Sequence, residues 1–129
     1  MIKEIIKYGE AEVTYRNKKL LSEKPILKNL FWETTLRCNA KCKHCGSRAG
    51  ENLDLKGELT TEEIKNTLQN IANKYDAREI LINVTGGEPL LRQDLFEVME
   101  FANNLGYYWG MTTNGILIND EIIEKMKNA

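Results

Sequence analysis

Three observations predict an α/β fold with a parallel sheet. The order strand, loop, helix recurs from Leu30 to Met126, and repeated βα units build a parallel sheet with helices outside it, joined by right-handed crossovers. Ile80 to Val84 is a short, nearly continuous apolar run, as expected of a strand covered on both faces. Each strand ends in a cluster of chemically active or turn-forming residues: Cys38 to Cys45, Gly86 to Pro89, and Thr113 to Gly115. Sites in barrels of this kind gather at the C-terminal ends of the strands, so the three clusters are expected to share one face.

The elements follow in order. Residues 1–29 read as an N-terminal extension: Ile2, Ile5 and Ile6 suggest a helical face, and Ala11 to Arg16 alternate as a short strand does. Lys24-Pro25 marks a break, because the residue before proline is pushed out of the helical region. Leu30 to Thr35 predicts the first strand, with the cysteine loop directly after it. Gly46 to Leu59 has loop composition. Thr60 with Glu63 forms a capping-box signature ahead of a helical stripe of Ile64, Leu68, Ile71, Ala72 and Tyr75. After the second strand, Leu95, Val98, Met99, Ala102 and Leu105 repeat at helical spacing and Gly106 closes the helix. Tyr107 to Thr112 predicts a third strand, and Asn119 is placed to cap a last helix bearing Ile122, Ile123 and Met126.

Composition narrows the function classes. The 129 residues are 42% hydrophobic and 29% charged, which suits one globular domain. A formal net charge of −1 argues against a nucleic-acid footprint or attraction to anionic lipid. No apolar run is long enough to span a bilayer, and the first residues lack the apolar core of a signal peptide, so a cytoplasmic location is expected. Thiols kept as ligands fit that reducing compartment.

All three cysteines fall at Cys38, Cys42 and Cys45. An odd number cannot be satisfied by disulfides, and so tight a loop converges as metal ligands do. Iron–sulfur and zinc are the candidates. A [4Fe–4S] cube normally takes four cysteines, so three leave one iron open to a small molecule, which suggests chemistry rather than bracing. The zinc reading has His44 completing a Cys3His set, but His44 and Cys45 are neighbours, and adjacent ligands rarely reach one tetrahedral ion without strain. Gly86, Gly87 and Pro89 also make an ordinary strand-to-helix turn. Glu88 stands where Ser, Thr, Asp or Asn caps better, so its carboxylate is expected to aim elsewhere. Thr113-Asn114-Gly115 reads first as a turn. Arg37, Lys41, Lys43 and Arg48 surround the cysteines; they form either a solvated loop or a cationic surface that offsets cluster charge and steers an acidic electron donor.

Read together, Cys38-x3-Cys42-x2-Cys45 and Gly86-Gly87-Glu88-Pro89 resemble the radical S-adenosylmethionine (SAM) superfamily. The resemblance implies that Cys38, Cys42 and Cys45 ligate a [4Fe–4S] cluster whose free iron is chelated by SAM. An electron from the cluster then cleaves the sulfonium to methionine and a 5′-deoxyadenosyl radical, which takes hydrogen from a substrate. It further implies that Glu88 binds the α-amino group of SAM and that Gly86 and Gly87 let the ligand approach the backbone. His44, where the family usually carries Phe, Tyr or Trp, would lie beside the adenine, with Thr113 and Asn114 shaping the pocket. Flavodoxin or ferredoxin is the implied electron donor. The wording Trp32-Glu33-Thr34-Thr35-Leu36-Arg37-Cys38-Asn39 is similar to members that carry an auxiliary-cluster domain and modify peptides or proteins.

The family fold is a (β/α)6 barrel, of which residues 30–129 supply about three βα units, making this a partial (β/α) barrel. No cysteine follows Cys45. The expectation is a fragment of a longer enzyme, with a split protein needing a partner as the alternative. An uncovered inner sheet face and an unpaired edge on the third strand then predict self-association, and no SAM-dependent catalysis by this chain alone. A different class stays open: an iron–sulfur electron-transfer module, or a zinc-braced interaction domain, without SAM chemistry.

Overall fold

A computed structural model describes residues 2–23, 25–50 and 56–129. The elements are α1 (Ile2–Glu23), β1 (Asn29–Glu33), α2 (Thr61–Ala72), β2 (Leu81–Thr85), α3 (Leu95–Asn104), β3 (Tyr108–Met111) and α4 (Asp120–Asn128), with short 3-10 turns at Ala77–Glu79 and Pro89–Leu91. The strands form one parallel sheet in the order β1-β2-β3, the α/β arrangement that the βα repeats predict. Residues 51–55 of the predicted Gly46 to Leu59 loop, and Lys24 of the predicted break, lie outside the described residues.

Local chemistry sets the helix ends. Thr60 Oγ1 accepts from the Glu63 N–H while Glu63 Oε2 accepts from the Thr60 N–H at 2.8 Å, a complete capping box for α2. Gly106 ends α3 at φ +97°, a left-handed conformation that glycine adopts without steric cost. Asn119 Oδ1 accepts from the Ile122 N–H at 2.9 Å to cap α4.

Helices α2 and α3 cover one face of the sheet. Ile64 and Leu68 of α2 and Leu95, Val98, Met99 and Ala102 of α3 bury against Ile82 and Val84, with Leu30, Trp32, Trp109 and Met111 packed beside them. Parallel register places Leu30, Ile82 and Trp109 in one row and Trp32, Val84 and Met111 in the next, all on that covered face. Tyr107 closes the core from below β3: its hydroxyl donates to the Leu68 carbonyl at 2.8 Å, and burial pushes its ionisation up.

Several expectations need correction. Ala11 to Arg16 is not a strand but the middle of the continuous 22-residue α1. A helix pairs its own backbone groups, whereas a lone strand leaves them unpaired. Every described side chain of α1 is exposed. The second strand is covered on one face only: Leu81 and Asn83 point to the side shared with Asn29, Phe31, Glu33, Thr85, Tyr108 and Gly110, where Phe31 is 71% and Tyr108 67% exposed. Its apolar run arises because Ile80 and the alternate residues Ile82 and Val84 fill the core while Leu81 sits partly open. Strand ends also shift. Thr34 and Thr35 leave β1 to enter the site, and Tyr107 donates its N–H to the Ala102 carbonyl at the end of α3 rather than to the sheet. Tyr75 lies past the end of α2 and is exposed. Among the described residues, no helix is long and apolar enough to cross a membrane.

Candidate functional site

The loops after the three strands meet because the β2 loop has no side chains where the β1 loop passes. Gly86, at φ +121°, leaves room for the Thr35 carbonyl, which would stand 2.5 Å from an added Cβ; a Cβ on Gly87 would overlap the Arg37 carbonyl. That closeness permits two backbone bonds, Gly87 N–H to Thr35 O at 2.7 Å and Glu88 N–H to Arg37 O at 2.8 Å. What approaches these glycines in this structure is the protein's own backbone, a stricter requirement than turn formation.

Glu88 is fully buried. Its Oε1 accepts from the Leu90 N–H at 3.1 Å and from the Thr113 hydroxyl at 2.8 Å, and its Oε2 accepts from the Asn114 N–H at 2.8 Å. The carboxylate therefore does cap the Pro89–Leu91 turn, contrary to the capping preference, because one oxygen reaches the Leu90 N–H, the first that the turn offers after the proline, while the other reaches the β3 loop. Replacing one oxygen by an NH2 sets donor against donor, at the Asn114 N–H in one orientation of the amide and at the Leu90 N–H in the other. Glu88→Gln is accordingly expected to lower stability by about 1–3 kcal/mol, read as a lower urea midpoint. An unchanged midpoint would show that the β3 loop does not depend on this carboxylate.

The β3 loop carries the junction to the first cysteine. Asn114 Nδ2 donates to Asn39 Oδ1 at 2.8 Å and to Cys38 Sγ at 3.7 Å, while its Oδ1 accepts from the Ile116 N–H at 2.9 Å. The backbone-bonded turn falls later than the predicted Thr113-Asn114-Gly115, with the Ile118 N–H on the Gly115 carbonyl at 3.2 Å; Gly115 stands at φ +78° and its N–H meets Thr113 Oγ1.

Cys38 is buried, and its sulfur accepts from the Ala40 N–H at 3.4 Å in addition to Asn114. Cys42 and Cys45 are exposed, joined by a turn in which the Cys45 N–H meets the Cys42 carbonyl. All three are free thiols. Among the described residues, no three His, Cys, Asp or Glu side chains are gathered closely enough to hold a metal ion. Among the described residues, a hydrogen bond to a cysteine sulfur is found at Cys38 and not at Cys42 or Cys45. The donor set still fits a cluster chemically: three soft sulfurs on one short loop, one already bonded by two N–H groups, as cluster sulfurs are. His44 is exposed on the same turn.

The basic residues separate. Arg37 serves the fold, donating through Nη2 to the Leu91 carbonyl at 3.2 Å, with its Nε buried and without a hydrogen-bond partner among the described residues. Lys43 and Arg48 are exposed. Arg92, which sequence reading passed over, supports the site from beneath. It is buried, and its guanidinium donates to Thr34 O at 2.9 Å, Leu59 O at 2.6 Å and both Asp94 oxygens, with Glu58 4.0 Å away and the Trp32 ring centroid 5.3 Å from its carbon. The one local signal was Asp94 two residues on, a spacing common on surfaces; the carbonyls that fix Arg92 come from distant segments.

Residues 32–129 match the family model described as Radical SAM superfamily. The chain is 39% identical over 100 residues to an AdoMet-dependent heme synthase of Methanosarcina barkeri, covering 78% of this chain and 28% of that protein. It is 33% identical over 98 residues to the mycofactocin maturase MftC of Mycobacterium ulcerans, 75% of this chain and 25% of the relative. A PqqA peptide cyclase of Bradyrhizobium diazoefficiens is likewise 33% identical over 98 residues, 75% of this chain and 24% of the relative. The chain spans about a quarter of the length of these relatives.

Proposed function

The chain belongs to the radical SAM superfamily, and on that premise we propose that Cys38, Cys42 and Cys45 hold a [4Fe–4S] cluster beside which SAM binds for reductive cleavage. In this reading residues 30–129 form the first units of a (β/α) barrel, and residues 1–29 stand outside it. The observation that carries it is the junction of three strand-end loops at Glu88 and Asn114, one of whose members hydrogen-bonds the Cys38 sulfur. When bound, the cluster, reduced by an external electron donor, would supply one electron to SAM, breaking a sulfonium C–S bond to give methionine and a carbon radical able to take hydrogen from a substrate.

The chain's own residues prepare that chemistry. Cys38 would be the anchored ligand, and Cys42 and Cys45, on an exposed turn, would supply the other two, their ordering drawing on the binding energy. By the family resemblance the Glu88 carboxylate, which the Leu90 N–H, the Thr113 hydroxyl and the Asn114 N–H hold in place, would receive the amino group of SAM. Thr113 and Asn114 hold Glu88 in place, Gly86 and Gly87 keep the loops in contact, and His44 is free to lie against the adenine. Lys43 and Arg48 present positive charge to an acidic donor such as flavodoxin or ferredoxin.

For the substrate we infer a peptide or protein, on the wording of the Trp32 to Asn39 loop and the two relatives named for peptide cyclisation and mycofactocin maturation. The higher identity to heme synthases favours a heme precursor as the second reading. Anaerobic reconstitution of the protein carrying this chain should bind about four irons, lost for the most part in each cysteine-to-alanine variant. With dithionite and SAM it should form 5′-deoxyadenosine. Stoichiometric zinc with no iron uptake would overturn the cluster reading. Mass shifts in a supplied peptide or heme precursor separate the two substrates.

A further inference from the structure

We propose that Asn114 is a positioning residue that sets the reduction potential of the cluster through its hydrogen bond to the Cys38 sulfur, and that this bond makes Cys38 unlike the other two ligands. The proposal rests on the cluster assignment above. Its geometry is that of a clamp fixed at the backbone N–H and at both polar atoms of the side chain. The backbone N–H of Asn114 is held by Glu88 Oε2 at 2.8 Å, its Oδ1 by the Ile116 N–H at 2.9 Å, and its Nδ2 spans Asn39 Oδ1 at 2.8 Å and Cys38 Sγ at 3.7 Å.

The orientation of the amide follows from these partners. A flipped group would set its NH2 against the Ile116 N–H and its oxygen against Asn39 Oδ1 and the sulfur, losing every bond. The donor therefore faces the thiol. With the Ala40 N–H at 3.4 Å, Cys38 Sγ accepts two hydrogen bonds, whereas no hydrogen bond to the Cys42 or Cys45 sulfur is found among the described residues. A donor aimed at a ligand sulfur stabilises the more negative, reduced cluster more than the oxidised one, so it raises the potential. The Ala40 bond comes from the backbone and is retained in any side-chain variant, while the Asn114 bond belongs to one replaceable side chain.

The test is a redox titration followed by electron paramagnetic resonance on the reconstituted protein without SAM, comparing wild type, Asn114→Ala and Asn114→Asp. The backbone bond from residue 114 to Glu88 is kept in both variants. At equal iron content the potential should fall in Asn114→Ala and fall further in Asn114→Asp, where a carboxylate faces the sulfur; the reduced fraction at the wild-type midpoint drops several-fold. Equal midpoints for wild type and Asn114→Ala overturn the proposal. Failure of the wild type to take up iron overturns the cluster assignment instead, which keeps the two distinguishable. Should Asn114→Ala load poorly, alkylation of the metal-free protein decides. Cys38 should react several-fold faster relative to Cys42 than in wild type, and an unchanged ratio removes Asn114 from any role at this ligand.

Discussion

Gly87→Ala should lower stability by about 3–5 kcal/mol, because an added Cβ overlaps the Arg37 carbonyl and forces apart two backbone hydrogen bonds worth about 1 kcal/mol each. Backbone cannot rotate away as a side-chain tip can. The bonds at risk, Gly87 N–H to Thr35 O and Glu88 N–H to Arg37 O, join the loop after β2 to the loop that carries Cys38. The loss should therefore appear twice: in the urea midpoint, and in the iron retained after reconstitution. Gly110, on β3, has nothing within 4 Å of an added Cβ, and Gly110→Ala should stay within about 0.5 kcal/mol of the parent. Equal midpoints for the two variants would mean that the close approach at Gly87 is not what fixes these loops.

Arg92→Met should destabilise by about 3–5 kcal/mol, the usual cost of removing one partner from a buried charged network. Thr34 O, Leu59 O and the Asp94 carboxylate would lose their donor together, and methionine keeps most of the apolar volume against Trp32. Acid adds a second signature. Burial pushes Asp94 up, but hydrogen bonds from Arg92 and Thr61 and the nearby guanidinium charge outweigh it and hold the carboxyl below its ordinary range. A depressed carboxylate contributes stability above its unfolded value of about 3.9, and that contribution is lost as pH falls through the lower folded value. Without Arg92, burial is opposed by the Thr61 hydroxyl and the backbone N–H of Asp94 without the guanidinium, so acid unfolding should begin at higher pH, followed through the fluorescence of Trp32 and Trp109. An acid midpoint identical to wild type would show that the Arg92 pair does not govern Asp94.

Legibility from sequence followed the range of the interactions. The capping box at Thr60 and Glu63, the Asn119 cap, the glycine stop at Gly106 and the stripes of α2 and α3 each depend on residues within one or two helical turns, and each was readable. Ala11 to Arg16 was misread because alternation over six residues suits either a strand or one side of a helix, and no partner strand was there to decide it. The open face of β2 was misread for a different reason. Ile80 to Val84 looks uniformly apolar in a row, and only the pairing of Leu81 with Asn29 and Tyr108 separates the row into a buried side and an open one.

By itself the sequence determined the parallel α/β plan, the placement of three chemical clusters at strand ends, and the cysteine set, because spacing and periodicity are written along the chain. The tertiary structure decided how those clusters are joined. Glu88 was expected to aim its carboxylate away from the turn, yet it caps the turn as well, one oxygen on Leu90 and Thr113 and the other on Asn114. The two glycines looked like turn residues, yet what they make room for is the carbonyls of Thr35 and Arg37, some fifty positions earlier in the chain. Asn114 meets Cys38 across 76 positions, and Arg92 gathers carbonyls from segments 58 and 33 positions away. Such contacts leave no local pattern, because their partners become neighbours only when the strands align in register and bring their loops to one edge.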